Sequence, residues 1–275
     1  MPSRHEKPPI ATRSPFSSRL EGTIEHWAHH LPAGLQQAFR REFSAFADDY
    51  DRTLATIESI WRRREQEYAM DHSTGLARRR PFFQHLVTLL GVRPTPLFGT
   101  IGVLFIDIDK LKAINDTWGH SAGDRAIAAA AAIIRDAIRS RPHVDLVDQL
   151  DDEAAEYAVS RHGGDEFLVV LELRDATEID LVALRLKDHL DDAERQRACG
   201  YDLPARLAAS IGGVTYDLTD SAPRIPLNEL ARRLVAAADQ LMYESKRDGQ
   251  VHLGEARYTD RLVVEHRCQR EPVAD

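Results

Sequence analysis

The chain has 275 residues, is 43% apolar and 29% charged, and carries a net charge of −8, the balance of a soluble globular protein whose overall field disfavours nucleic acid and anionic membrane surfaces. Its longest apolar run, Ala126–Ile134, sits between two arginines and is far short of the roughly 18–20 residues that cross a bilayer; the polar, proline-bearing N-terminus lacks a signal peptide's apolar core, so a cytoplasmic location is expected. This length can bury a sizeable core in one large domain, or in an ordinary one with an appendage, and Cys199 and Cys268, in no motif spacing, read as reduced free thiols.

Residues 1–18 carry Pro2, Pro8, Pro9 and Pro15 among Ser and Arg, the composition of a disordered leader. From Arg19 to Ala69 the pattern becomes helical, with Leu35, Phe39, Phe43, Phe46, Tyr50, Leu54, Ile57, Trp61 and Tyr68 at three- and four-residue steps. Pro32 and Gly34 predict a short helix followed by a long one. The stripe on the long helix either packs back on its own domain or pairs with a second copy as a coiled-coil-like stalk, and pairing is the reading preferred here. His26, His29 and His30 share a helix face but have no fourth ligand at a fixed spacing; they read as surface histidines, and Arg62–Arg64 as a solvated face.

A turn at Asp71–Leu76 opens the main domain, and Pro81 starts a helix over Phe82–Leu90 with Phe83, Leu86, Val87 and Leu90 on one face. After a Pro-rich loop, Ile101–Asp109 is almost continuously apolar, as a central strand covered on both faces should be. It ends on Asp107 and Asp109, followed by Lys110 and Lys112. Burying carboxylates there costs several kcal/mol unless a cation or hydrogen bonds compensate, which points toward a metal and phosphates. Asn115–His120 reads as a turn, and Gly123–Asp124 as the start of an Ala-rich helix to about Ser140. Asp124 there is either an N-cap or, together with Asn115, a reader of a purine edge.

Residues 141–157 form an acidic, solvated segment without assigned chemistry. Arg161–Phe167 follows: Gly163 and Gly164 between two apolar runs predict a hairpin whose tip lets a ligand approach the backbone, and Asp165 and Glu166 stand at that tip. The carboxylate pair is either a polar turn or a divalent-metal and phosphate site. A helix is expected over Glu178–Ala198, then a strand over Ser210–Tyr216 with two glycines thinning one face. A last helix from Leu227 to about Lys246 directs Leu230, Leu234, Ala237, Leu241 and Met242 inward, and Leu262–Val264 is a possible edge strand.

Taken together, Gly163–Phe167, Phe105–Asp109, Asn115–Asp116 with Gly119–His120 and Gly123–Asp124, the Asp71/Thr74–Leu76 turn, Ser210–Gly212, and Ala238–Asp239 with Tyr243 and Lys246 resemble a GGDEF-domain diguanylate cyclase. The resemblance covers roughly residues 70–255. It implies an α/β (α+β) fold like the palm of nucleotidyl cyclases, with a central mixed, largely antiparallel sheet wrapped by helices. The implied organisation is a leader at 1–18, a helical stalk at 19–70 for dimerisation and regulation, a catalytic domain at 71–255 and a tail at 256–275.

The activity it implies joins two GTP into cyclic di-GMP and two pyrophosphates across a homodimer, with two Mg²⁺ per site, or Mn²⁺ in their place. By the same resemblance Asp107 and Asp165 are metal ligands with the Ile108 carbonyl, and Glu166 assists deprotonation of the 3′-OH. Asn115 and Asp124 hold guanine, while the amides of Lys110 and Leu111, the glycines Gly163 and Gly164, and Lys246 serve the phosphates. Three departures stand out. Gln250 replaces a customary Arg; Ser73 replaces a Leu of the opening turn, a change expected to affect packing; and the Arg-x-x-Asp product-inhibition motif is absent at Ala154–Tyr157. Gln250 keeps open the alternative of a catalytically silent module that binds GTP and signals through protein contacts. Asp124 speaks against relaxed base choice. A regulatory protein on the N-terminal helices is a further expected partner; nucleic acid and a membrane span are not.

Overall fold

The computed structural model describes residues 22–23, 25–95, 98–139, 157–202, 205–219, 225–258 and 262–268. The leader and most of the acidic segment, with Ala154–Glu156, lie outside the described residues. The chain divides into two compact units, Met1–Glu67 and Tyr68–Asp275. Among the described residues no helix is long and apolar enough to cross a membrane.

In the first unit the long helix α1 spans Ala33–Ala69. Glu25, before it, is paired to Arg40 at 3.1 Å, and the rings of Phe39 and Phe43 meet at a 45° tilt with centroids 4.6 Å apart. Leu35, Phe46, Ile57 and Ile60 are each 44–57% exposed. At about 100° per residue these four fall within roughly 60° of the helix circumference, so they form one uncovered apolar stripe. His26, His29 and His30 are exposed, as expected of surface histidines.

The second unit is built on a seven-stranded sheet in the order β1-β3-β4-β2-β5-β6-β7. Its strands are β1 (Ala77–Arg78), β2 (Thr100–Ile108), β3 (Val159–Gly163), β4 (Glu166–Leu173), β5 (Ala209–Asp217), β6 (His252–Tyr258) and β7 (Leu262–Cys268). The β1/β3 and β5/β6 pairs are parallel and the rest antiparallel, giving the mixed, largely antiparallel sheet. Every residue of β2 is buried, which is why its sequence from Ile101 to Ile106 is continuously apolar rather than alternating. Leu104, Ile106 and Ile108 face one core with α4 (His120–Arg139) and α5 (Glu178–Asp191), whereas Ile101, Val103 and Phe105 face another with α2 (Arg79–Leu90) and α7 (Leu227–Asp248). The period of two therefore sends Asp107 toward the α7 side.

Several sequence expectations are corrected. Helix α2 starts at Arg79 and buries Phe82, Leu86, Leu89 and Leu90, leaving Phe83 and Val87 only partly covered, because Pro81 sits within the first turn instead of opening it. The helix expected over 178–198 breaks at Asp192, whose extended backbone and carboxylate cap a second helix, α6 (Ala193–Ala198), through the amides of Glu194 and Arg195. The glycines of β5 thin both faces: a Cβ on Gly212 would lie 1.9 Å from the Met242 amide nitrogen of α7, and one on Gly213 would lie 2.4 Å from Leu104 Cδ2 on the opposite side. Strand β6 was not foreseen, and it is the partner on which β7 forms the sheet edge.

Candidate active site

The backbone contact at Gly212 sets α7 against the end of β2. Ser245, buried on α7, accepts the Ile211 amide at 3.1 Å; the parallel partner β6 begins only at the next residue pair, Gly212 with His252, so this amide would otherwise lack a ladder partner. One residue on, Lys246 Nζ lies 2.8 Å from Asp107 Oδ1, an ion pair in which the Asp107 side chain is only 6% exposed. Burial pushes the Asp107 carboxyl up to about 6; Asp165 and Glu166 add to the rise and Lys246 opposes it. Burial also works against the Lys246 charge, but Asp107, with Asp165 and Asp109 behind it, raises the ammonium above its ordinary value. Asp109 lies beyond the strand, whose last residue is Ile108, and its Oδ1 accepts the Ser210 hydroxyl at 2.7 Å. Of the two acids read at the strand end, Asp107 faces Lys246 and Asp109 has this structural partner.

The β3–β4 hairpin brings the second pair of carboxylates to the same place. Glu166 is the cross-strand partner of Asp107, and the Ile108 amide donates to the Asp165 carbonyl at 3.1 Å. The register shifts between Arg161 and Gly163, and Gly164 has φ 28°, at the edge of the left-handed region where glycine is at ease. Burial raises the Glu166 carboxyl, and the charges of Asp239 and Asp165 raise it further. Behind the tip, His162 packs against Phe105 and Phe83 at 5.5 and 6.4 Å; burial and then Arg79 lower its pKa, against the opposing charge of Asp239.

The tip is fastened by Arg161. Its Nε and Nη2 donate to the Gly164 carbonyl at 3.0 and 2.8 Å, and its Nη1 donates to Asp71 Oδ1 at 3.2 Å and Ser73 Oγ at 2.6 Å. Burial would raise the Asp71 carboxyl, but hydrogen bonds from Ser73, Thr74 and Arg161 outweigh it and hold it at about 2. Ser73 thus belongs to a polar clip rather than to the packing contact expected at that position.

Between β2 and α4 the expected turn is a helix, α3 (Leu111–Trp118), and Gly119 at φ 84° ends it so sharply that α4 begins at His120. Asp124 is consequently inside α4 and exposed, and an N-cap role is ruled out by position. Lys110 precedes α3 with φ 58°, a left-handed conformation that costs a non-glycine residue about 1–2 kcal/mol, and no side chain caps the first amides of the helix. A Cβ on Gly123 would lie 1.9 Å from Asn115 Oδ1, so the glycine gives the Asn115 amide its space beside the residue preceding Asp124. Asn115 Oδ1 is buried without a hydrogen-bond partner.

Asp107, Asp165, Glu166 and Lys246 are thus brought together at one sheet end. Asn115 and Asp124 are neighbours on α3 and α4, with Lys110 and Leu111 opening α3. Sequence reasoning gave no role to Arg79 or Asp239, whose charges act on Glu166, or to Arg161 and His162 of the hairpin; the signals were Asp239 in the matched Ala238–Asp239 block and Arg161 beside the Gly-Gly turn.

The family model described as "Diguanylate cyclase, GGDEF domain" matches residues 68–252. Diguanylate cyclase DosC of Escherichia coli K12 is 31% identical over 186 residues, which are 66% of this chain and 34% of that protein. Diguanylate cyclase A of Treponema denticola is 31% identical over 153 residues, 54% of this chain and 33% of that protein. The solved structure of the coiled coil and GGDEF domain of DgcB from Caulobacter crescentus, in complex with c-di-GMP, aligns over 75% of this chain and 95% of its own, at 21% identity and a TM-score of 0.49. The chain spans about a third of the length of the curated relatives it matches.

Proposed function

The chain belongs to the GGDEF-domain diguanylate cyclase family, and on that premise we propose that it condenses two GTP into cyclic di-GMP and two pyrophosphates. The carrying observation is the end of β2: Asp107 is buried and held near 6, with Asp165 and Glu166 raising it and a single ammonium opposing them. That excess of hard carboxylate oxygens suits divalent cations such as Mg²⁺ or Mn²⁺, two per site, on Asp107, Asp165 and the Ile108 carbonyl. When bound, such ions supply Lewis-acid stabilisation of the phosphoryl group and of the leaving pyrophosphate.

The remaining roles fall to the chain's own groups. Glu166, its basicity raised by burial and by Asp239, accepts the ribose 3′-OH proton. Each 3′ oxygen forms a bond to the α-phosphorus of the opposing nucleotide as the bond to pyrophosphate breaks, and this happens twice per product. Asn115, with its unpartnered Oδ1, and Asp124 hold guanine. The amides of Lys110 and Leu111 at the uncapped start of α3 take phosphate oxygens, Gly163 and Gly164 let the nucleotide lie against the backbone, and Lys246 supplies a positive charge.

Each catalytic unit holds one GTP, so the reaction needs two copies facing one another. The uncovered stripe of α1 is the pairing surface and the place where a regulatory protein would act. Without the Arg-x-x-Asp motif, product does not inhibit through that site.

Incubation with GTP, ATP and Mg²⁺, read by mass spectrometry, should give cyclic di-GMP alone, at a rate unaffected by added product and lost in Asp165→Ala. GTP binding without product would establish the silent module instead, and full activity of Asp165→Ala would overturn the site.

A further inference from the structure

A second constellation lies at the same C-terminal end of α7, where Glu244 and Asp248 flank Lys246, among residues that the reaction above does not use. Glu244 and Asp248 are one turn apart on α7 and share a face. His252 opens β6 and is buried, whereas His266 is on the edge strand β7 and is exposed. Gly254 is the register partner of His266 and Cys268 that of His252, so the two histidines are diagonal neighbours on one face of the hairpin. His252 Nδ1 and His266 Nε2 are 2.8 Å apart; Glu244 Oε2 is 3.5 Å from the first and 3.4 Å from the second. The other nitrogen of His252, Nε2, is 2.9 Å from Asp248 Oδ2.

We propose that Glu244, His252 and His266 form a binding site for Zn²⁺. Two imidazole nitrogens and one carboxylate oxygen are a donor set for a borderline-soft divalent transition metal, unlike the all-oxygen set at Asp107. Tetrahedral bonds of about 2.0–2.1 Å place donor atoms about 3.3–3.4 Å apart. Two of the three separations, 3.4 and 3.5 Å, are already at or within about 0.1 Å of that range, and the third opens by about half an ångström when the exposed His266 ring turns. Asp248 supplies what a hydrogen-bonded histidine cluster alone would not need. As acceptor of the His252 Nε2 proton it fixes the tautomer that directs the Nδ1 lone pair at Glu244 and His266, the carboxylate–imidazole–metal arrangement of zinc centres. Three protein ligands leave a fourth position for water or for a ligand from a partner. His266 lies beyond residue 252, where the family match ends.

The test uses the untagged full chain, stripped with a chelator and titrated with Zn²⁺ alone in competition with a chromophoric chelator. One zinc per chain is expected, and it should remain in the Asp107→Asn/Asp165→Asn double variant, which separates this site from the carboxylate cluster. His266→Ala, which truncates an exposed side chain on the edge strand, should weaken binding by more than about 100-fold, and Asp248→Asn by about 10- to 100-fold. Circular dichroism confirms that each variant is folded, and Glu244→Gln provides an independent loss if His266→Ala disturbs the hairpin. Absence of stoichiometric zinc in the wild type, equal affinity in the wild type, His266→Ala and Glu244→Gln, or loss of zinc in the double aspartate variant would each overturn the assignment.

Discussion

Adding one methyl group at Gly212 tests whether α7 is seated by backbone contact on β5. The new Cβ would fall 1.9 Å from the Met242 nitrogen and 2.5 Å from both the Ala238 oxygen and the Leu241 carbonyl carbon. Ordinary heavy-atom contacts begin near 3.5 Å, so α7 must retreat by about 1.5 Å, and no side-chain rotation can relieve the overlap. Overpacking a core costs about 1–3 kcal/mol, and an obstacle made of backbone puts Gly212→Ala at the top of that range, about 3 kcal/mol. A domain holding about 5–15 kcal/mol in total would lose a visible share of it. At Gly213 the obstacles are chiefly the methyls of Leu104 and Leu253, which can yield, so Gly213→Ala should cost about 1–2 kcal/mol. Gly119→Ala meets open space but must hold φ 84° and ψ 164°, a region essentially confined to glycine, at about 1–3 kcal/mol. Urea unfolding at constant m-value measures the series. If Gly212→Ala unfolded at the wild-type midpoint, or no more readily than Gly213→Ala, the packing argument would fail.

Asp71, held at about 2 against an ordinary 3.8, has a depressed folded-state pKa, so its contribution is complete above about pH 5 and disappears as pH falls through the window from 3.8 to 2. The stability difference between wild type and Asp71→Asn should be about 2 kcal/mol at neutral pH and shrink in that window; a difference independent of pH from 7 to 2 would refute it. For the stalk, Ile57→Glu combined with Ile60→Glu removes two exposed apolar side chains from the proposed seam, a loss of about 2–3 kcal/mol, or roughly 30- to 150-fold in dimer dissociation constant. Sedimentation velocity across a dilution series reads the change, and an unaltered monomer–dimer balance would remove α1 as the pairing surface.

What could be read from the sequence depended on how local the cause was. The apolar Ile101–Ile106 run, the Gly163–Gly164 turn and the Ala-rich helix announce themselves through composition, because burial on both faces, a positive φ and helix propensity act residue by residue. The path from Asn115 to Asp124 did not, since a single left-handed glycine at 119 joins two helices where Asn, Asp, Gly and His suggest a loop. The break at Asp192 was hidden for the opposite reason: Asp is unremarkable inside an exposed helix until its carboxylate turns to cap the next one. At the site, Asp107, Asp165 and Glu166 carried their own signal. Arg79 and Asp239 act only because α2 and α7 fold over the same sheet end, and no spacing along the chain encodes that.

The Arg161 guanidinium has a mechanical consequence. Asp71 and Arg161 are 90 residues apart in sequence, yet the path from the start of the second unit to the Gly164 carbonyl crosses only two side chains, the Asp71 carboxylate and the Arg161 guanidinium. Arg78 adds a parallel tie, its Nε donating to the Met70 carbonyl at 2.9 Å. A twist applied to the backbone at residue 70 therefore does not have to propagate through the sheet. It reaches the loop carrying Asp165 through a fork of hydrogen bonds short enough to transmit displacement and weak enough to be released.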